Sequence, residues 1–335
     1  MQIGYTLFLF IVIMMLSLVG CASYPNPTSP PHLTLYPPST PNPGVTPAAT
    51  AVPSLETIKG SFRNQINILE KDMPRSNSQG YAIPTDQEQA DFAKLTTRIM
   101  RGDLAHAAGL ATSHDYTLNY YVDRGDHYAV SYLLREQRPI RKGWGLYAFR
   151  LDSTSNIIVE APHPLYDQRT PTVAMDIYRA LDARALLIAG AHRNANDDKS
   201  ADVAHASQSI FQSIHMDLSH EIQTASGDVI ILQIHGFHAS NHEGYPQVVF
   251  GLGENPLPKK IAIAQKIKDA LSQQGISAGV CTGVESELMD LCAKTNVQGS
   301  VTKAGSFIHI ELDEEIRKND DAFIAALVEV FGNGS

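Results

Sequence analysis

From residue 151 to residue 335 the sequence predicts an α/β fold: a mostly parallel or mixed twisted sheet with helices on both faces. Three observations predict it. Short β-branched runs alternate with longer segments of helical apolar spacing. One run, VIILQI at residues 229–234, is almost wholly apolar, as a strand buried on both faces must be. Ionisable residues gather just past several of these runs, where open α/β sheets place their ligands.

The elements follow in order. Residues 157–161 read as a strand and 170–181 as a helix, with Thr170 as its candidate N-cap. Residues 185–189 form the next strand, 207–219 a helix, and 229–234 the central strand. Residues 248–252 and 307–311 are further strands, 258–273 is a helix, and 320–330 is a closing amphipathic helix. An α+β extension over residues 55–150 precedes this block and is expected to pack on it. It holds helical segments at 55–71 and 85–110 and strands at 116–122, 127–134 and 145–151, with Asp123-Arg124-Gly125-Asp126 as a hairpin turn.

Before residue 55 the chain changes character. The apolar stretch at 5–18 is too short for a comfortable bilayer span and runs into Leu18-Val19-Gly20-Cys21. That tetrapeptide resembles the lipobox of bacterial lipoproteins. The resemblance implies a signal peptide over residues 1–20, lipid on Cys21, and a membrane-anchored place in the bacterial cell envelope, facing the periplasm or the exterior. Residues 21–54, rich in Pro, Thr and Ser and nearly uncharged, then read as an extended tether. In such an oxidising compartment Cys281 and Cys292 are a candidate disulfide, with two unpaired buried thiols as the other reading. A net charge of −9 without a basic stripe excludes nucleic acid as a partner.

The strand ends carry the chemistry. Glu160, His163 and Asp167 follow the first strand, and His192 and Arg193 follow the second. Gln233, His235 and His238 end the central strand, and His309 and Glu311 lie on the last one. Imidazole and carboxylate are the ligands of catalytic zinc sites, which use three protein groups and leave one position open. His163 and Asp167 sit on one short loop, and His235 on a neighbouring strand end supplies a third ligand for one Zn2+ ion. Glu311 is then the candidate acid and base. Arg193 and Arg317 are candidates to hold a substrate carboxylate, since guanidinium forks match that group. His205, His192 and His238 are further candidate substrate contacts.

At these residues a family resemblance enters. HPLYDQRTPTVA, beginning at His163, resembles the His–x–x–x–Asp/Glu segment of phage-type poly-γ-glutamate hydrolases. Those belong with the zinc carboxypeptidase-like and N-formylglutamate amidohydrolase-like enzymes. ILQIHGFH, at 231–238, resembles the strand that ends in their third zinc ligand, and FIHIELDEEIR, at 307–317, the strand with their catalytic glutamate. CAKTNVQGS, at 292–300, resembles a Thr-Asn segment just before it. The motifs keep the family's order between residues 157 and 317. The resemblance implies a carboxypeptidase-like fold, zinc on His163, Asp167 and His235, Glu311 as acid/base, and a peptide or amino-acid-derived amide as substrate. Gln233 departs from the pattern, standing where relatives often carry Asp.

Several residues keep a second reading. His163 and His235 are also ordinary hydrogen-bonded histidines, Asp167 a helix cap, and Glu311 an ion-pair partner of Arg317. Asp202 caps a helix or lines the cleft, Asp313 caps a short helix at 314–318, and His215, His220 and His242 read as surface histidines. No Gly-x-Ser-x-Gly elbow occurs, which argues against a serine hydrolase. Outside enzymes, the same cleft suits a non-catalytic lipoprotein that binds metal or a small acidic ligand.

Overall fold

The computed structural model describes residues 55–126, 129–282 and 288–332. The signal segment, Cys21 and the tether lie outside them, as do residues 127–128 of the strand expected at 127–134. The described strands belong to one unit, from Ala51 to Ser335, and to one sheet.

Chain entry differs from the expected helix at 55–71. β1 (Thr57–Gly60) pairs parallel with β2 (Tyr116–Asp123), and the helix starts later, as α1 (Phe62–Asp72). Asp123 sets that start. Its Oδ1 accepts the Phe62 N–H at 3.2 Å and the Gly125 N–H at 2.9 Å, capping the helix from a neighbouring strand. The helical stretch at 85–110 is divided into α2 (Asp86–Met100) and α3 (Leu104–Ser113), because Gly102 turns the chain at φ 75°. Thr85 and Glu88 form a reciprocal capping box at the head of α2.

β3 (Ala129–Glu136) and β4 (Leu146–Phe149) continue antiparallel, followed by β5 (Ile157–Ala161), α4 (Thr170–Ala180) and β6 (Ala185–Ile188). β4 bonds directly to β6. The strands on either side of residue 150 are therefore continuous, where an extension packed on a separate domain was expected. α5 (Ile210–Ser226) begins three residues after the expected start, at Ser209, whose hydroxyl accepts the Gln212 N–H at 3.1 Å. Then come β7 (Ile230–Gly236), β8 (Val248–Gly251), α6 (Pro258–Gln273) and β9 (Ala278–Val280). α7 (Val297–Val301), β10 (Ser306–Leu312), α8 (Glu314–Lys318) and α9 (Asp321–Phe331) close the fold. β9 and α7 were not expected, being too short to show a period.

The sheet runs β1-β2-β3-β4-β6-β5-β7-β10-β8-β9, with β6, β5, β7 and β10 mutually parallel. From β5 the chain moves out to β6 on one side and returns to β7 on the other. That reversal opens a crevice at the carboxyl ends of β5 and β7. Val159, Leu232, Ile234, Ile308 and Ile310 bury one face with α1, α4, α6 and α9. Ile158, Ile231 and Phe307 bury the other with α2, α3 and α5. On that second face the period of two next delivers Glu160, Gln233, His235, His309 and Glu311.

The join between β4 and β6 admits no side chain at residue 145. Gly145 has φ 114°, and an added Cβ would stand 2.2 Å from the Ile188 carbonyl oxygen. Gly145→Ala should destabilise the fold by about 3 kcal/mol or more, read as a lowered urea midpoint.

Candidate metal centre

Register decides which polar groups meet. Glu160 lies opposite Gln233, Gln233 opposite His309, and His235 opposite Glu311, across β5, β7 and β10. His163 enters from the loop after β5. The N–H groups of Tyr166 and Asp167 both donate to the His163 carbonyl, at 3.2 and 2.9 Å, curling the loop so that Asp167 returns beside His163.

Asp167 does not cap α4 with its side chain. Arg169 takes the N-cap place, at φ 73°, with no side-chain cap bond. Asp167 gives the helix only its carbonyl, which accepts the Thr170 hydroxyl at 2.7 Å. Its carboxylate faces the crevice, with Oδ2 3.2 Å from His163 Nδ1 and 3.3 Å from His235 Nδ1.

The remaining nitrogen of each histidine is occupied. His163 Nε2–H donates to Asp202 Oδ1 at 2.8 Å, and His235 Nε2–H donates to Gln233 Oε1 at 2.8 Å. Burial, opposed by Asp167, pushes the His235 pKa down to about 4, so at neutral pH its single proton sits on Nε2. Its Nδ1 lone pair then points at a carboxylate oxygen, an arrangement that calls for a cation. Burial alone would lower His163, but Asp167 and Asp202 outweigh it and raise its pKa. Burial also opposes ionised Asp167, yet His163, donating from Nδ1, holds it far below the usual carboxylate range. A proton on His163 thus supplies positive charge that a bound ion would replace.

The donor set fits a divalent metal. The ligand atoms of His163, Asp167 and His235 all lie within 4.8 Å of one another. Tetrahedral ligands at zinc distances stand about 3.4 Å apart, close to the two separations around Asp167. Each histidine is also held from behind by an oxygen, as metal-binding imidazoles commonly are.

Glu311 and His309 complete the crevice. Both are buried, and Glu311 Oε2 and His309 Nδ1 have no hydrogen-bond partner. The His309 ring stacks on His235 with centroids 4.1 Å apart, and burial drives its pKa well down. Burial first, then the charge of Asp167, pushes the Glu311 pKa up to about 8. These groups open into a cleft of about 530 Å³, also lined by Tyr166, Arg193, His205, His238 and Lys294.

Of the other expected contacts, Arg193 pairs with Asp202 and lies over the Tyr166 ring, while His205 Nδ1 stands 3.1 Å from Asp202. His238 is exposed at the rim and pairs with Glu314. His192 is outside the lining, its Nδ1 accepting the Asn194 N–H at 3.0 Å. Arg317 is a correction. It is buried outside the cleft and donates to the backbone carbonyls of Leu312, Asp313, Gln168 and Phe237, with no carboxylate partner. His215 is another: it is fully buried, with Nδ1 2.7 Å from Glu160 Oε1. Its spacing from Phe211, Leu218 and Ile222 on the apolar side of α5 was the available signal. Asp313 caps α8 as expected, accepting the Ile316 N–H at 2.8 Å. Cys281 and Cys292 form a disulfide.

Sheet and site together define a mixed α/β protein with a buried His/Asp cluster suited to a divalent ion. No family model matches the sequence, and neither does any curated protein. Among solved structures the chain is similar to a bacteriophage poly-γ-glutamate hydrolase, at 13% identity over 53% of this chain and 83% of that one, with a TM-score of 0.36. It is similar to the N-formylglutamate amidohydrolase of Ralstonia eutropha JMP134, at 10% identity over 55% and 93% of the two chains, with a TM-score of 0.37. A metallo-carboxypeptidase from Burkholderia cenocepacia matches at 12% identity over 69% of each chain, again with a TM-score of 0.37. At these values the chemistry of the cleft rests on its own side chains.

The raised pKa of Glu311 has a sign for stability. A carboxyl whose pKa rises on folding loses stability as pH climbs from its unfolded value to its folded one. Glu311→Gln in chelator-treated protein should therefore resist urea better than the wild type at pH 9, and equally well near pH 4.

Proposed function

We propose that this chain is a zinc-dependent hydrolase of an amide bond, in a peptide, a γ-glutamyl linkage or an N-acyl amino acid. The observation that carries the reading is the meeting of His163, Asp167 and His235 in one cleft with a buried glutamate, Glu311, that keeps one oxygen free. His163 Nδ1, Asp167 Oδ2 and His235 Nδ1 would hold the ion, leaving a position open as catalytic zinc sites do. When bound, zinc acts as a Lewis acid, polarising a carbonyl and acidifying water at the site.

The chain's own residues do the rest. Glu311 Oε2 takes a proton from the attacking water as its oxygen bonds to the carbonyl carbon. The same oxygen returns that proton to the nitrogen as the carbon–nitrogen bond breaks. Burial of His163 and Asp167 keeps bulk water from them. Arg193, steadied by Asp202 and Tyr166, is placed to meet a substrate carboxylate at the cleft wall. By the same proposal Cys21 carries lipid and residues 21–54 tether the hydrolase to an envelope membrane.

Glu311→Gln should bind one zinc ion per chain and lose about 10²–10⁴-fold in kcat on an amide panel. His163→Ala should lose both metal and turnover. Full activity in Glu311→Gln defeats the mechanism, and stoichiometric zinc with no hydrolysis of any amide favours a binding protein.

A further inference from the structure

Gln233 is buried and uses every hydrogen-bonding position of its amide. Nε2 donates to Glu160 Oε2 at 2.8 Å and to Gln298 Oε1 at 3.2 Å. Oε1 accepts from His235 Nε2 at 2.8 Å and from Asn296 Nδ2 at 2.5 Å. An amide can turn over and exchange its two ends, so what prevents that decides the site.

The neighbours are anchored to groups that cannot turn. Asn296 Oδ1 accepts the Gly299 N–H at 2.9 Å, which leaves the Asn296 NH₂ facing Gln233. Gln298 Nε2 donates to the Val203 carbonyl at 2.9 Å, which leaves Gln298 Oε1 facing Gln233. Glu160 offers an acceptor, and its other oxygen lies against His215, whose Nε2 meets Thr302 Oγ1 at 3.0 Å. Turning Gln233 over would break its bonds to Glu160, Gln298 and Asn296 inside the core, and only the His235 contact could survive, by a change of tautomer. Its oxygen therefore stays toward His235.

We propose that Gln233 is a positioning residue: held by Glu160, Asn296 and Gln298, it selects the His235 tautomer whose Nδ1 lone pair faces the cleft. Carboxylates often hold metal-binding histidines in this way. Here Glu160 excludes one, because a glutamate at 233 would bring two carboxylates to about hydrogen-bond distance. The role of this tautomer in holding an ion rests on the metal reading of the site; the tautomer itself does not.

The test uses full-length, metal-stripped protein with ¹⁵N-labelled histidine. Long-range ¹H–¹⁵N spectra should show His235 protonated on Nε2 alone. Gln233→Met keeps the length and removes the acceptor, so His235 should become a tautomer mixture and zinc affinity should fall about 10–100-fold. Should that variant not fold, the wild-type spectrum decides alone, since a proton on His235 Nδ1 would show that Gln233 does not set the tautomer. A purely structural Gln233 would lower the urea midpoint and leave the tautomer unmoved. That result, or wild-type His235 protonated on Nδ1, overturns the proposal. Wild-type protein with the Nε2–H tautomer and no zinc affinity supports the Gln233 assignment while removing the metal reading.

Discussion

The parallel register of β5, β7 and β10 is the constraint on which the cleft depends. A slip of one residue in β10 would turn His309 and Glu311 into the apolar layer under α6 and α9, and bring Ile308 and Ile310 to the crevice. The apolar layers make such a slip costly. β5 and β10 are buried throughout and β7 at all but its two end residues, so a slip would bury polar groups without partners. Chemistry at the rim is thus held in place by hydrophobic packing several residues away.

That packing has to accept a polar layer. Glu160, Gln233, His215, Gln298 and Thr302 are buried between the sheet and helices α5 and α7, and hydrogen bonds satisfy them. Two atoms nearby break the rule, His309 Nδ1 and Glu311 Oε2. Leaving a buried polar atom unpaired costs about 1–3 kcal/mol. For these two atoms the penalty falls where the cleft opens.

The period-two pattern and the strand-end rule made most of this legible in the sequence. His163, His235 and Glu311 each follow or end an apolar run, and geometry brings the two histidines to Asp167. Asp167 could not be told from a helix cap, since a residue before a helix reads alike in both roles; the left-handed turn at Arg169 separates them. Asp202 stays between cap and cleft in the sequence, because its partner His163 is distant and no period links a loop to a strand end. β1 merges with the helix in the sequence because four residues beside a genuine helix add little pattern of their own.

Arg317 shows how a correct spacing can suggest a wrong role. A guanidinium six residues after a buried glutamate invites a substrate contact, yet its donors all go to main-chain oxygens. One is Gln168, next to Asp167; another is Phe237, two residues after His235; the others are Leu312, the last residue of β10, and Asp313 just after it. A single side chain therefore ties together the three segments that carry Asp167, His235 and Glu311. Gly236 is part of that tie, because a Cβ there would stand 2.6 Å from the Arg317 guanidinium carbon. Lysine could not replace it, having one point charge where a planar fork must reach several carbonyls at once. Arg317 acts on the site through the backbone that holds it, which is why sequence proximity to Glu311 pointed to the right neighbourhood and the wrong chemistry.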